Sequence, residues 1–139
     1  MVIASTIASA AMGVDIVSSR IIRELARERG GAPEATVWFG GDALPVADAA
    51  RVNAVMSDAA ASDDSDLRSI AHIGTIVSTT AIAMAERTGA GGRDVLAAMV
   101  LGYEIAGAST RRSPQDAASE GSTARSPRSS AARWRPARS

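Results

Sequence analysis

The chain has 139 residues, enough for one domain of ordinary size, since burial per residue becomes adequate at roughly 100 to 150 residues. Hydrophobic residues make up 46% of it but aromatics only 3%, so its apolar content is mainly Ala, Val, Ile, Leu and Met, a mix that favours closely packed helices. The formal net charge is zero, and neither lysine nor cysteine occurs, which excludes Schiff-base chemistry, disulfides, thiolate nucleophiles and Cys-ligated metals.

In chain order, Ile3, Ile7, Ala10 and Ala11 repeat at helical spacing until Gly13 interrupts them. This apolar opening lacks the positive n-region of a secretion signal, so it reads as a buried helix. No apolar run approaches the roughly 20 residues that span a bilayer, and the cytoplasm is the expected compartment. A second helix is predicted from Val14 to Arg29, with Val14, Val17, Ile21, Ile22 and Leu25 on its core face, ended by Gly30-Gly31 and Pro33. Thr36 to Phe39 is β-branched and aromatic between Pro33 and Gly40-Gly41, and reads as a short extended segment. Pro45 suits the first turn of a third helix carrying Val46, Ala49, Val52, Asn53 and Met56 on one face and fading near Ala61. Periodicity is then lost from Ser62 to Gly74, a loop long enough to suggest function. Thr75 is expected to cap a helix with Ile76, Val77, Thr80 and Met84 on one side, ending at Gly89. A glycine turn leads to Val95, Leu96, Met99, Val100 and Tyr103, the second arm of an antiparallel helical hairpin with Asp94 at its positive end.

After Ala108 the composition changes. Residues 1–108 carry 8 Arg against 13 acidic residues and 109–139 carry 7 Arg against 2, so the body is at 8 − 13 = −5 and the tail at 7 − 2 = +5. Ser, Arg, Ala and Pro supply 24 of the last 31 residues, without Val, Ile, Leu or Met, so this segment buries too little apolar surface to offset its chain entropy. The expected fold class is therefore all-α: helical hairpins forming part of a bundle over 1–108, at most one short extended segment near 35–39, and a disordered tail over 109–139.

The concentrated chemistry lies at Ser62-Asp63-Asp64-Ser65-Asp66, followed by the sole histidine, His72. Crowded carboxylates repel and raise at least one pKa, while an imidazole gains basicity from an ionised partner, so His72 with an orienting Asp is a workable acid/base arrangement. Asp and His also ligate divalent ions, and an Asp/Ser-rich stretch before a helix is most often a solvated, capping turn.

Four blocks occur in order: Gly31-Ala-Pro-Glu-Ala-Thr-Val-Trp; Leu44-Pro-Val-Ala-Asp-Ala-Ala-Arg-Val-Asn-Ala; Ser62-Asp-Asp-Ser-Asp with His72-Ile-Gly-Thr; and Gly89-Ala-Gly-Gly-Arg-Asp through Gly102-Tyr-Glu. Together they resemble the MmgE/PrpD family, whose members include 2-methylcitrate dehydratase, cis-aconitate decarboxylase and iminodisuccinate epimerase. The resemblance covers about residues 1–108. It implies a large helical domain joined to a smaller α+β domain, usually in a homodimer, acting on small polycarboxylic acids without an obligatory metal or other cofactor. By the family's Asp, aromatic, Asp, Asp, Thr and later His pattern, the catalytic positions fall on Asp63, Asp64, Ser65 and His72, with the leading Asp replaced by Ala61 and the aromatic by Ser62; Asp66, and Arg68 as the one cation nearby, are expected to bind substrate.

The resemblance also implies that family sequence precedes Met1 and continues well beyond Glu104, so the chain is expected to be an N-terminal fragment, inactive alone. A lysine-free Arg/Ser/Pro/Ala tail is what a shifted reading frame in GC-rich DNA produces; an unbroken frame through Ser139, with no family-like sequence in the other frames downstream, removes that idea. The expected partners are a polycarboxylate and further copies of the chain, through helix faces left uncovered, with neither nucleic acid nor membrane. Two other readings are a non-catalytic helical interaction protein and a nucleic-acid module using the seven tail arginines. The latter lacks a stacking platform, since Trp134 is the tail's one aromatic.

Overall fold

A computed structural model describes residues 2–62 and 71–110. Five helices and a two-stranded hairpin follow in the order α1 (Val2–Gly13), α2 (Val17–Arg29), β1 (Ala35–Thr36), β2 (Ala43–Leu44), α3 (Val46–Ala59), α4 (Ile73–Thr88) and α5 (Gly92–Thr110). The chain is mostly helical, as its composition and periodicity indicate. The expected tail lies, beyond Thr110, outside the described residues. Among the described residues no single helix is long and apolar enough to cross a membrane; α1 and α2 would suffice only together, and they are bent by 92°.

Helix α3 is the hub, packed against α1, α2 and α4, while α5 lies against α4. Its buried face, Ala49, Val52, Asn53, Met56 and Ser57, follows the predicted one closely. Small residues let α1 approach: Thr6, Ser9, Ala10 and Gly13 are its buried positions at i, i+3, i+4 and i+7. At Gly13 a Cβ would stand 1.9 Å from the Met56 carbonyl oxygen, so only glycine fits the crossing. Gly102 of α5 plays a milder version of this part, where a Cβ would fall 2.8 Å from a Val77 methyl of α4.

The extended segment near 35–39 is real but shorter, and it has a partner. β1 pairs antiparallel with β2 through Ala35 with Leu44 and Thr36 with Ala43. Beyond β1 the chain turns at Phe39, which takes a left-handed φ of 57° ahead of the glycines. Asn53 holds the hairpin to α3, accepting from the Trp38 N–H and donating to the Thr36 carbonyl, both at 2.9 Å. On the other side the Thr36 N–H donates to the Glu86 carboxylate of α4. Glu34 accepts from the Val46 N–H at 3.0 Å, which supplies the α3 N-terminus with a cap that Pro45 cannot offer.

Two helix faces differ from expectation. On α2 the buried residues are Ser19 and Ala26, with Ile22 half-buried, whereas Val17, Ile21 and Leu25 are exposed. On α4 the buried residues are Ile73, Gly74, Thr75, Ser78, Thr79 and Ala83, whereas Ile76 and Met84 are exposed. In both helices the small or hydroxyl-bearing side packs on α3 and the bulky aliphatic side faces outward. Periodicity finds the helix; it cannot tell which of two plausible stripes is covered first.

Candidate functional site

Helices α1, α3 and α4 meet where the described residues break off at Ser62 and resume at Ala71. The C-terminal turn of α3 ends at Ala59, Ala61 follows with a left-handed φ of 49°, and Ser62 is the last described residue before the acidic segment. The chain returns at Ala71, and α4 starts at Ile73 with His72 at its N-cap, three residues earlier than the Thr75 cap anticipated from sequence. Thr75 is instead buried inside the first turn, turned toward α3, where its hydroxyl lies 3.2 Å from that of Ser57.

A run of hydroxyls ties these ends together. Ser57 donates to the Thr6 carbonyl at 3.1 Å, Ser9 donates to the Ser57 carbonyl at 2.7 Å, and the Ser9 and Ser62 hydroxyls are 2.9 Å apart. Buried hydroxyls are tolerated when paired, and paired ones define geometry more sharply than methyl contacts do. This cross-linking fixes the distance between the end of α3 and the start of α4, and so the frame around His72.

The imidazole of His72 faces Asp58 across that frame, Nδ1 to Oδ1 3.5 Å, with the His72 side chain 40% and that of Asp58 63% exposed. Asp58 sits in the last turn of α3, where a carboxylate opposes that helix's own dipole, and beside the N-terminus of α4, where one is favoured. Sequence reasoning missed Asp58. The available signal was an acid in the last turn of a helix, an electrostatically poor position unless a cation or another helix start lies nearby. Of the predicted site residues only His72 belongs to the described part; Asp63, Asp64, Ser65, Asp66 and Arg68 all lie outside the described residues.

The Gly102-Tyr103-Glu104 block has a different setting. Tyr103 and Glu104 line an open groove of about 670 Å³ between the start of α1 and the middle of α5, together with Ile3, Ile7, Met99 and Val100. Among the described residues that line it, Glu104 is the one carboxylate and Tyr103 the one phenol, and the rest are apolar, which gives the groove the character of a packing surface.

The charged face of α2 is structural. Arg27 binds Asp42 of the hairpin turn through contacts of 2.7 to 3.1 Å. Its guanidinium pKa is raised above an already high value, chiefly by that hydrogen bond. Arg29 and Arg51 both bind Asp48 at the start of α3.

Compared with known families, residues 1–126 match the model of the MmgE/PrpD N-terminal domain. The match runs past Ala108, where resemblance by motif ends. No curated protein and no solved structure matches the chain.

Proposed function

Because the chain belongs to the MmgE/PrpD family through its N-terminal domain, we propose that it carries the acid/base portion of a site that moves protons on small polycarboxylic acids, as in 2-methylcitrate dehydratase-like lyases. The observation that carries this reading is the placement of His72, half-exposed at the start of α4 and opposite a carboxylate. In the neutral ring one nitrogen accepts a proton from a carbon next to a substrate carboxylate. The electron pair of the broken C–H bond forms the new C=C bond as a neighbouring hydroxyl leaves, and that hydroxyl takes a proton from a carboxylic acid, a role we give to Asp64. Asp63, Ser65 and Asp66 would orient substrate or ring, and Arg68 would meet a substrate carboxylate.

The chain by itself is proposed to be inactive. His72 and Asp58 stand open to water, where charge interactions are weak, and a polycarboxylate needs several cationic partners in a closed pocket. The test uses the single histidine as a probe: the His72 ring signals are followed by NMR while tricarballylate, an unreactive tricarboxylate, is added at constant ionic strength. We expect a saturable change at millimolar concentration and none with acetate, together with no turnover of 2-methylcitrate or citrate. Ring signals indifferent to the tricarboxylate would refute the reading, and measurable turnover would refute the inactivity.

A second reading, association through uncovered helices, is favoured by α5. Leu96, Val100, Leu101 and Ile105 are all exposed although they lie on different sides of that helix. A helix apolar around most of its circumference is suited to burial among several neighbours.

A further inference from the structure

We propose that Asp58 is the positioning residue for His72: it accepts from Nδ1–H and thereby makes Nε2 the proton-accepting nitrogen of the neutral ring. The inference rests on reading His72 as the acid/base group, but its geometry stands by itself. The Oδ1 of Asp58 approaches Nδ1 at 3.5 Å, an ion-pair distance a few tenths of an ångström longer than the usual N–H···O hydrogen bond. Both side chains are exposed enough to close that gap by a small rotamer adjustment. Which ring nitrogen carries the proton is set by the partner of the other nitrogen, and a carboxylate on the Nδ1 side selects Nδ1–H.

The backbone holds the pair in register. Asp58 directly follows Ser57, and Thr75 is three residues beyond His72; the Ser57 and Thr75 hydroxyls meet at 3.2 Å in the buried layer beneath the pair. Helix α3 therefore cannot slide along α4 without breaking a buried contact, and Asp58 stays opposite the ring. When Nε2 takes a proton, the imidazolium formed faces the Asp58 carboxylate, which opposes the new charge.

The chain contains one histidine, so nitrogen-15 chemical shifts of its ring report this tautomer without assignment ambiguity. Free histidine prefers Nε2–H. In the intact chain, above the histidine titration, the expected result is a majority of Nδ1–H. Asp58→Ala should return the ring to an Nε2–H majority, and Asp58→Asn, which keeps a carbonyl acceptor, should retain Nδ1–H. Asp58 is exposed, so circular dichroism should report an unchanged fold in both variants. An Nε2–H majority in the wild-type chain, or a tautomer ratio unmoved by Asp58→Ala, would overturn the proposal. Neither result depends on turnover or on tricarboxylate binding, so the orientation of His72 and its proposed chemistry fail separately.

Discussion

Asn53 is buried at the centre of α3, and its amide stands in for a neighbouring strand, satisfying one backbone donor and one backbone acceptor of the hairpin. Asn53→Ala would leave the Trp38 N–H and Thr36 carbonyl without these partners. We expect a loss of about 2–4 kcal/mol in urea unfolding, from two stranded groups at roughly 1–3 kcal/mol each with partial rehydration. Asn53→Asp should cost a comparable amount, because the oxygen replacing Nδ2 would face a carbonyl. Ala61 offers the opposite outcome. It holds a φ of 49° with a Cβ present, and the left-handed region costs a non-glycine residue roughly 1–2 kcal/mol. Ala61→Gly relieves that strain against the added freedom of the unfolded chain, so a net gain of about 0.5–1 kcal/mol is expected in the same measurement. The ion pair of Arg27 with Asp42 is exposed, and Arg27→Ala should cost only about 0.2–1 kcal/mol, less in high salt. With its folded-state pKa raised, the arginine's contribution is complete below its unfolded value and fades only as pH climbs beyond it, so this group adds no pH dependence near neutrality.

At the level of elements, the crossing of α1 over α3 depends on Gly13. Gly13→Ala would drive a methyl into the Met56 carbonyl, which is backbone and cannot turn aside. The expected cost is about 3 kcal/mol or more, read as a fall in the urea midpoint. Gly102→Ala meets only the Val77 side chain and should cost about 1–3 kcal/mol. The helices themselves were legible because period, glycine stops and Pro45 all agree on them. The hairpin was half legible: Thr36 to Phe39 announces an extended piece, but Ala43-Leu44 is too short and too ordinary to declare itself a strand. The covered sides of α2 and α4 were not legible, since hydrophobicity points to Ile21, Leu25 and Ile76 while close packing selects Ser19, Ala26, Ser78 and Thr79. For the site, His72 stood out as the sole histidine, whereas Asp58 becomes relevant only once the end of α3 is brought to the start of α4.

Across the described structure, apolar surface is distributed unevenly. Helix α3 buries its stripe, yet Val17, Ile21, Phe39, Ile76, Leu96, Val100, Leu101 and Ile105 all remain exposed. Runs of exposed aliphatic side chains along one helix, such as Leu96, Val100, Leu101 and Ile105 on α5, favour association. Light scattering should therefore show mass rising with concentration, and the double variant Leu101→Lys with Ile105→Glu should reduce that rise without lowering the melting temperature, since neither residue is packed. A concentration-independent monomer would argue against such association.

The hydroxyl-lined seam between α1, α3 and α4 also has a calorimetric consequence. Among the described residues Thr6, Ser9, Asn53, Ser57, Thr75, Ser78 and Thr79 share the interior with a core rich in alanine. Exposing polar surface lowers the heat capacity increment of unfolding while exposing apolar surface raises it. The increment for this chain should thus fall below the usual 12–15 cal/mol/K per residue, approximately, giving a stability curve that is broad and shallow in temperature.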